Sequence, residues 1–216
     1  MDRLISYCSS LGYWHVSGEK MSPSMQRQAL AMVWDYAELN PSSGATGDWN
    51  SALDWVLRVV DHCSRIQSLP ATVAQASATA LPYPDNYFDA VVTDPPYYNS
   101  VPYADLSDFF YVWLKRAAAH LHPELFATPL APKADEIGEM SGWDPRRYAH
   151  KDKAFFEEAI SRAFQEISRV LKPNGPAVIV FAHSSTDAWE TIINAILNSG
   201  LYLTSSWPLH TEMKAR

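Results

Sequence analysis

Four consecutive residues, Asp94-Pro95-Pro96-Tyr97, bring together a carboxylate, two carbonyls on conformationally fixed residues and an aromatic ring. A carboxylate and a neighbouring carbonyl can each accept a hydrogen bond from one amino group, and a phenol ring beside them can stack on a planar base. The prolines fix φ and carry no N–H, so the carbonyl between them needs little reorganisation to serve as an acceptor. The preceding Ala90-Val91-Val92-Thr93 contains two β-branched valines and predicts a short buried strand of a parallel sheet, which the prolines terminate. The four residues thus belong at the carboxyl end of a central strand, the end at which open α/β sheets place ligands. A turn that merely ends a strand would have the same composition, so the surrounding elements decide the matter.

Those elements follow a regular order. Residues 1–70 read as a helical segment. It holds a short helix over Asp2–Ser9, a loop to residue 21, and a helix opened by Ser22-Pro23-Ser24 with Met25, Ala29, Met32, Val33 and Tyr36 on one face. The loop Asn40–Gly47 follows, then a helix from Asn50 to Ser64 with Leu53, Leu57 and Val60 along its stripe. Residues 71–216 form the second portion. Ala71–Gln75 is a weak strand, and the Asp94 strand comes after the turn around Pro82 and Pro84. Tyr103–His120 is a helix expected to bury Leu106, Phe109, Phe110, Trp113, Leu114 and Ala117. Residues 121–150 contain four prolines and little periodicity, and a loop of that length is where target recognition is expected. Asp152–Leu171 is the clearest helix, with Phe156, Ile160, Ala163, Phe164, Ile167 and Val170 on one face. Ala177–Phe181 reads as a strand buried on both sides, Ala188–Asn198 as a helix capped by Thr186-Asp187 and ended by Gly200, and Leu201–Trp207 as a last strand. The pattern predicts an α/β fold.

Composition sets bounds. The 216 residues, 47% hydrophobic and 19% charged, suffice for one good core. No stretch reaches the ~18–20 apolar residues of a membrane span, and the start of the chain has no secretory pattern. Two cysteines, Cys8 and Cys63, make neither a disulfide framework nor a metal ribbon, which points to a reduced cytoplasm. Cys8 with His15 lacks a second pair at ligand spacing, so no metal is expected. The Gly- and Ser-rich loop at 40–47 follows a helix rather than a strand, which argues against a phosphate loop. A net charge of −7 is unlike a general nucleic-acid binder, but Arg146, Arg147, Lys151 and Lys153 outnumber Asp144 and Asp152 in one stretch and make a candidate basic face, or else a solvated loop.

Asp-Pro-Pro-Tyr at a strand end resembles the signature of amino-methyltransferases, which methylate an exocyclic amine of adenine or cytosine in DNA. The segments Ala78–Asp89 and Val170–Gly175 with Pro176–Phe181 resemble the flanks of that strand and the next one in the same fold. The longer run Asp94–Leu114, with Trp34–Glu38, Pro132–Ile137 and Phe181–Glu190, is similar to a family of large adenine-specific DNA methylases, sometimes described as zinc-ribbon methylases or by a domain of unknown function. The resemblance implies a Rossmann-like class I methyltransferase sheet, S-adenosyl-L-methionine as methyl donor and DNA adenine N6 as target. Asp94 and Pro95 would hold the amine, Pro96 would fix the turn, and Tyr97 would stack the base taken out of the duplex. Asp94, with Ser77 and Ala78 in the turn before Leu81-Pro82, would face the donor; Tyr98, Asn99, Lys133, Arg146 and Arg147 are candidate nucleic-acid contacts.

The chain also departs from that family. Such methylases bind the donor with a Phe-x-Gly-x-Gly loop after their first strand, and no Gly-x-Gly occurs here; where related enzymes often carry Asp toward the donor's adenine, this chain has Ser77. It therefore looks like the carboxy-terminal part of a larger methylase. In that fold the strands bearing the donor loops lie beside the Asp94 strand, so an open apolar edge is expected there. Such an edge invites self-association or a second polypeptide or upstream segment supplying the missing strands. The alternative reading is a non-catalytic fragment or subunit that binds nucleic acid or protein and needs a partner to hold the donor. Methylation of a protein glutamine or an RNA base by related chemistry is a third.

Overall fold

The computed structural model describes residues 12–16, 19–23, 40–44, 48–66, 69–99, 101–183 and 185–208. The helices expected over Asp2–Ser9 and from Ser24 onward lie outside these residues. The chain forms two compact units: residues 1–74 with 103–133, and residues 75–102 with 134–216.

In the first unit, β1 (Gly12–His15) and β2 (Lys20–Pro23) form an antiparallel hairpin with Trp14 opposite Met21. The sequence predicts a loop here and a helix opened by Ser22-Pro23; both residues instead close a strand. Aromatic residues in Tyr13-Trp14 favour a pleated backbone, and Glu19, at φ 45°, turns the chain so that its N–H reaches the Val16 carbonyl at 3.3 Å. α1 (Trp49–Ser64) starts at Asp48, whose carboxylate accepts from the Ser51 N–H at 2.7 Å and is held below its usual pKa by the Ser51 hydroxyl first and that N–H second. The expected stripe of Leu53, Leu57 and Val60 is present but exposed; α1 has no buried residue. α2 (Tyr103–Ala118) buries Ala104 alone, while Trp113, Leu114 and Ala117, expected inside, are exposed. A 3₁₀ turn, Pro123–Phe126, leads the chain back along α2, where the Tyr111 hydroxyl and the Lys115 ammonium donate to the Thr128 carbonyl at 2.7 and 2.6 Å.

The second unit contains β3 (Val91–Thr93), α3 (Pro145–Tyr148), α4 (Lys153–Val170), β4 (Ala177–Ile179) and α5 (Thr186–Leu197). β3 and β4 run parallel, Val91 opposite Ala177 and Thr93 opposite Ile179. α4 forms where the periodicity and the Asp152 cap predict it, the carboxylate accepting from the Phe155 N–H at 2.9 Å. Its Phe156, Ile160, Phe164 and Ile167 pack with Ile192 and Ala195 of α5, and Val91, Ala177, Ile179 and Phe181 lie against this cluster. Burying each such large side chain contributes ~1.5–3 kcal/mol.

The same sheet is bare elsewhere. β4 was expected to be buried on both sides, yet Val178 and Val180 are exposed, and on β3 Val92 is 74% exposed. Period-2 alternation puts these three valines on the face away from α4 and α5. The expected strand Leu201–Trp207 is irregular and largely exposed, as is Ala71–Gln75, since a strand exists only with a ladder neighbour and none is present among the described residues. What stands is a mixed fold of helices and a small parallel sheet, with no helix among the described residues long and apolar enough to cross a membrane.

The approach to β3 is stapled to the end of α4. Arg169 donates to both Glu166 carboxylate oxygens at 2.8 Å, to the carbonyls of Tyr83 (2.9 Å) and Leu81 (3.1 Å), and to the Asp85 carboxylate at 2.8 Å. Glu166 in turn accepts from the Leu81 N–H at 2.8 Å. The Arg169 bonds, then the Leu81 N–H, hold the Glu166 carboxyl down at about 2, and Glu166 followed by Asp85 raises the Arg169 guanidinium. The backbone continues the seam: the N–H groups of Tyr87 and Phe88 reach the Val170 carbonyl, and the Lys172 N–H reaches that of Phe88.

Candidate active site

The last ladder bond, from the Val180 N–H to the Thr93 carbonyl at 2.9 Å, leaves Asp94 just beyond the carboxyl end of β3. Asp94 is exposed and Pro95 is buried, so the carboxylate projects from a turn whose backbone is packed in place. The Pro96 carbonyl accepts from the Tyr98 N–H at 3.1 Å, and Tyr98 takes φ 33°, which completes the reversal. Two rings then point into different surroundings. Tyr97 meets Phe181 edge-on at 5.8 Å between centroids, while Tyr98 meets Phe156 at 5.1 Å and His183 at 6.1 Å. Burial pushes the Tyr98 hydroxyl above its usual pKa, with the carboxylates of Glu139, Glu157 and Asp187 adding to the shift; it remains a neutral phenol near pH 7.

β4 brings its own residues to the same end of the sheet. Phe181 and His183 lie nearly parallel at 6.3 Å, and Trp189 of α5 packs edge-on against Phe181 at 5.0 Å. The Trp189 indole N–H donates to the His183 carbonyl at 3.0 Å, and His183 Nδ1 accepts from the Ser185 N–H at 3.0 Å, which leaves the proton of the neutral ring on Nε2. Phe181, His183 and Trp189 were not among the sequence candidates for the site. The available signal was position: residues just after a strand parallel to β3 must emerge beside the residues that follow β3.

The remaining candidates are dispersed. Ser77 and Ala78 form an exposed tight turn, closed by the Ala80 N–H on the Ser77 carbonyl at 3.1 Å and by a Ser77–Thr79 hydroxyl contact at 2.9 Å. The Ser77 carbonyl and hydroxyl are thus engaged within the turn itself. Lys133 belongs to the first unit, where Asp108 holds its ammonium at 2.7 Å and the Ala131 carbonyl accepts from it at 3.0 Å. The others belong to the second. Asn99 is exposed, as are Arg146 and Arg147 on α3, and the Arg147 guanidinium lies 5.1 Å over the Tyr148 ring. Lys151 does not join them on a basic face: it is 0% exposed, its ammonium donating to the Glu136 carbonyl at 2.7 Å and lying over the rings of Tyr148 and Phe155. Among the described residues no three His, Cys, Asp or Glu side chains converge as metal ligands do. No protein-family model matches the chain, and no curated protein or solved structure matches it either.

Residues 136–151 fold into a knot against the turn. The N–H groups of Met140 and Ser141 bond the Lys151 carbonyl at 2.8 and 3.1 Å, the Glu139 N–H bonds the Tyr98 carbonyl at 3.0 Å, and the Trp143 indole N–H bonds the Asn99 carbonyl at 3.1 Å.

Proposed function

We propose that the Asp94 turn is the target-amine half of an S-adenosyl-L-methionine-dependent DNA amino-methyltransferase acting on adenine N6. The observation that carries this reading is the placement of Asp94-Pro95-Pro96-Tyr97: an exposed carboxylate on a packed turn at the carboxyl end of a parallel strand, beside the rings that follow the neighbouring strand. An aromatic amine is a poor nucleophile because its lone pair is delocalised into the ring. The Asp94 carboxylate and the Pro95 carbonyl accept its two N–H bonds, localise the lone pair on nitrogen and orient it for in-line attack. Tyr97, steadied by Phe181, stacks on the extruded base, and such stacking is worth ~1–3 kcal/mol per base. When bound, S-adenosyl-L-methionine would supply an electrophilic methyl group whose bond to sulfur breaks to leave a neutral thioether, and the Asp94 carboxylate would take the proton that the methylated nitrogen sheds. Work on DNA would place the protein in the cytoplasm.

A second reading has its own support: the chain is a subunit that acquires the donor from a partner. It rests on the absence of Gly-x-Gly from the sequence together with the bare face of β3 and its edge, unpaired among the described residues. Calorimetric titration with S-adenosyl-L-methionine and transfer of a labelled methyl group to adenine-containing DNA test both. Donor binding and transfer by the native chain, with Asp94→Ala slowing transfer ~10²–10³-fold as expected for loss of a preorganised acceptor, would bear out the first. Transfer that is unaffected by Asp94→Ala would overturn it. Donor binding only after a polypeptide with a Phe-x-Gly-x-Gly loop is added would favour the second.

A further inference from the structure

On the outer side of the 136–151 knot, Trp143, Asp144, Pro145, Arg146 and Arg147 line an open recess of about 670 Å³. The indole of Trp143 is 54% exposed although its N–H is engaged by the Asn99 carbonyl. The polar edge of the indole is thus satisfied within the protein, and the apolar body of the residue is open to a planar partner. The pin also fixes its place, because Asn99 lies two residues beyond Tyr97. The neighbouring cations are anchored as well. Arg147 lies over the Tyr148 ring, Tyr148 is buried, and the Lys151 ammonium occupies a second position near the same ring. The Asp144 carboxylate caps α3 by accepting the Arg146 N–H at 3.1 Å, and the Arg146 side chain is exposed.

We infer that Trp143, Arg146 and Arg147 form a docking platform for single-stranded DNA, with one base stacked on the indole and the adjoining phosphates held by the two guanidinium groups. The inference rests on the proposed reading in one respect: the Trp143–Asn99 bond sets the platform beside the turn that would take the target base, so the occupant is an unpaired stretch of the strand that carries that base. A planar hydrophobic surface next to fixed cations suits a nucleotide, which offers a π-face and a phosphate one step apart. An acidic peptide would use the arginines and leave the indole bare.

The test is fluorescence anisotropy of a dye-labelled, adenine-containing single-stranded oligonucleotide titrated with the full chain across a range of salt concentrations, without methyl donor. Trp143→Ala should weaken binding by about 5- to 150-fold, the equivalent of ~1–3 kcal/mol per stacked base, and Trp143→Phe should restore most of it. The double variant Arg146→Ala/Arg147→Ala should flatten the plot of log K against log salt by about 1.4, from ~0.7 per phosphate contact on a single strand. Native affinity and slope in these variants, or no binding by the native chain at low salt, would overturn the platform. Binding of an acidic peptide that competes with the oligonucleotide and ignores Trp143→Ala would overturn it too. Methyl transfer is not read in this experiment, so its failure leaves the role of Asp94 to be judged on the transfer assay alone. Should Trp143→Ala lose its far-UV circular dichroism, the arginine pair and its salt slope remain decisive.

Discussion

At the scale of single residues, the most consequential cluster outside the site is Glu166 with Arg169, because it holds the segment that becomes β3. Glu166 is ionised in the folded protein down to about 2, against an ordinary value of 4.5. Its contribution is therefore fully present above about pH 4.5 and is lost as pH falls toward 2. Glu166→Gln should cost ~1–3 kcal/mol, from the weakening of charge-assisted hydrogen bonds, and should flatten the acid limb of stability against pH in chemical denaturation. An unchanged acid limb would show that the staple does not hold the fold. That Asp94 and its prolines end a strand could be read from sequence, because prolines cannot donate to a ladder. The fate of Lys151 and Lys133 could not, since whether a lysine reaches solvent or is folded onto a carbonyl depends on distant backbone. Lys151 meets Glu136 and Lys133 meets Asp108 only once the loops close.

At the scale of elements, the long helices among the described residues were legible, as were β3 and β4, while the hairpin and the short helical turns were not. α4 announces itself through its cap and its apolar period, both local properties. Leu201–Trp207 and Ala71–Gln75 carry strand-like residues without a partner to pair with, and β1 and β2 pair across a turn that the Gly- and Ser-containing sequence concealed. The junction from α4 to β4 depends on one residue more than its sequence suggests. A Cβ on Gly175 would lie 2.8 Å from both the Asp89 carbonyl and Leu171 Cδ1, just where the Val91 N–H takes the Pro176 carbonyl at 3.0 Å. Gly175→Ala should therefore destabilise by ~1–3 kcal/mol through overpacking, seen as a lower Tm. It should also loosen the Val91 amide in hydrogen exchange, whereas Gly142→Ala, with nothing near its Cβ, should do neither.

At the scale of the whole molecule, half of the parallel sheet's expected surroundings are absent among the described residues. Parallel strands are stable when both faces are covered, yet Val92, Val178 and Val180 face away from the helices and β3 has one strand neighbour. Sedimentation velocity over a micromolar concentration series should show association of the native chain, and Val92→Lys, a charge on the bare face, should shift it toward monomer. A native chain that stays monomeric throughout would mean that the face is covered within the molecule. The pairing also has a history. Ala177 follows Thr93 by 84 positions, and at ~5–20 residues per second a ribosome takes roughly 4–17 s to deliver it. For that interval the nascent Val91-Val92-Thr93 has no strand to receive it, and the intervening residues 103–133 are gathering with the other unit. Slowing translation ahead of codon 177 would lengthen this exposure, so the yield of folded protein should depend on synthesis rate even where the finished chain is stable.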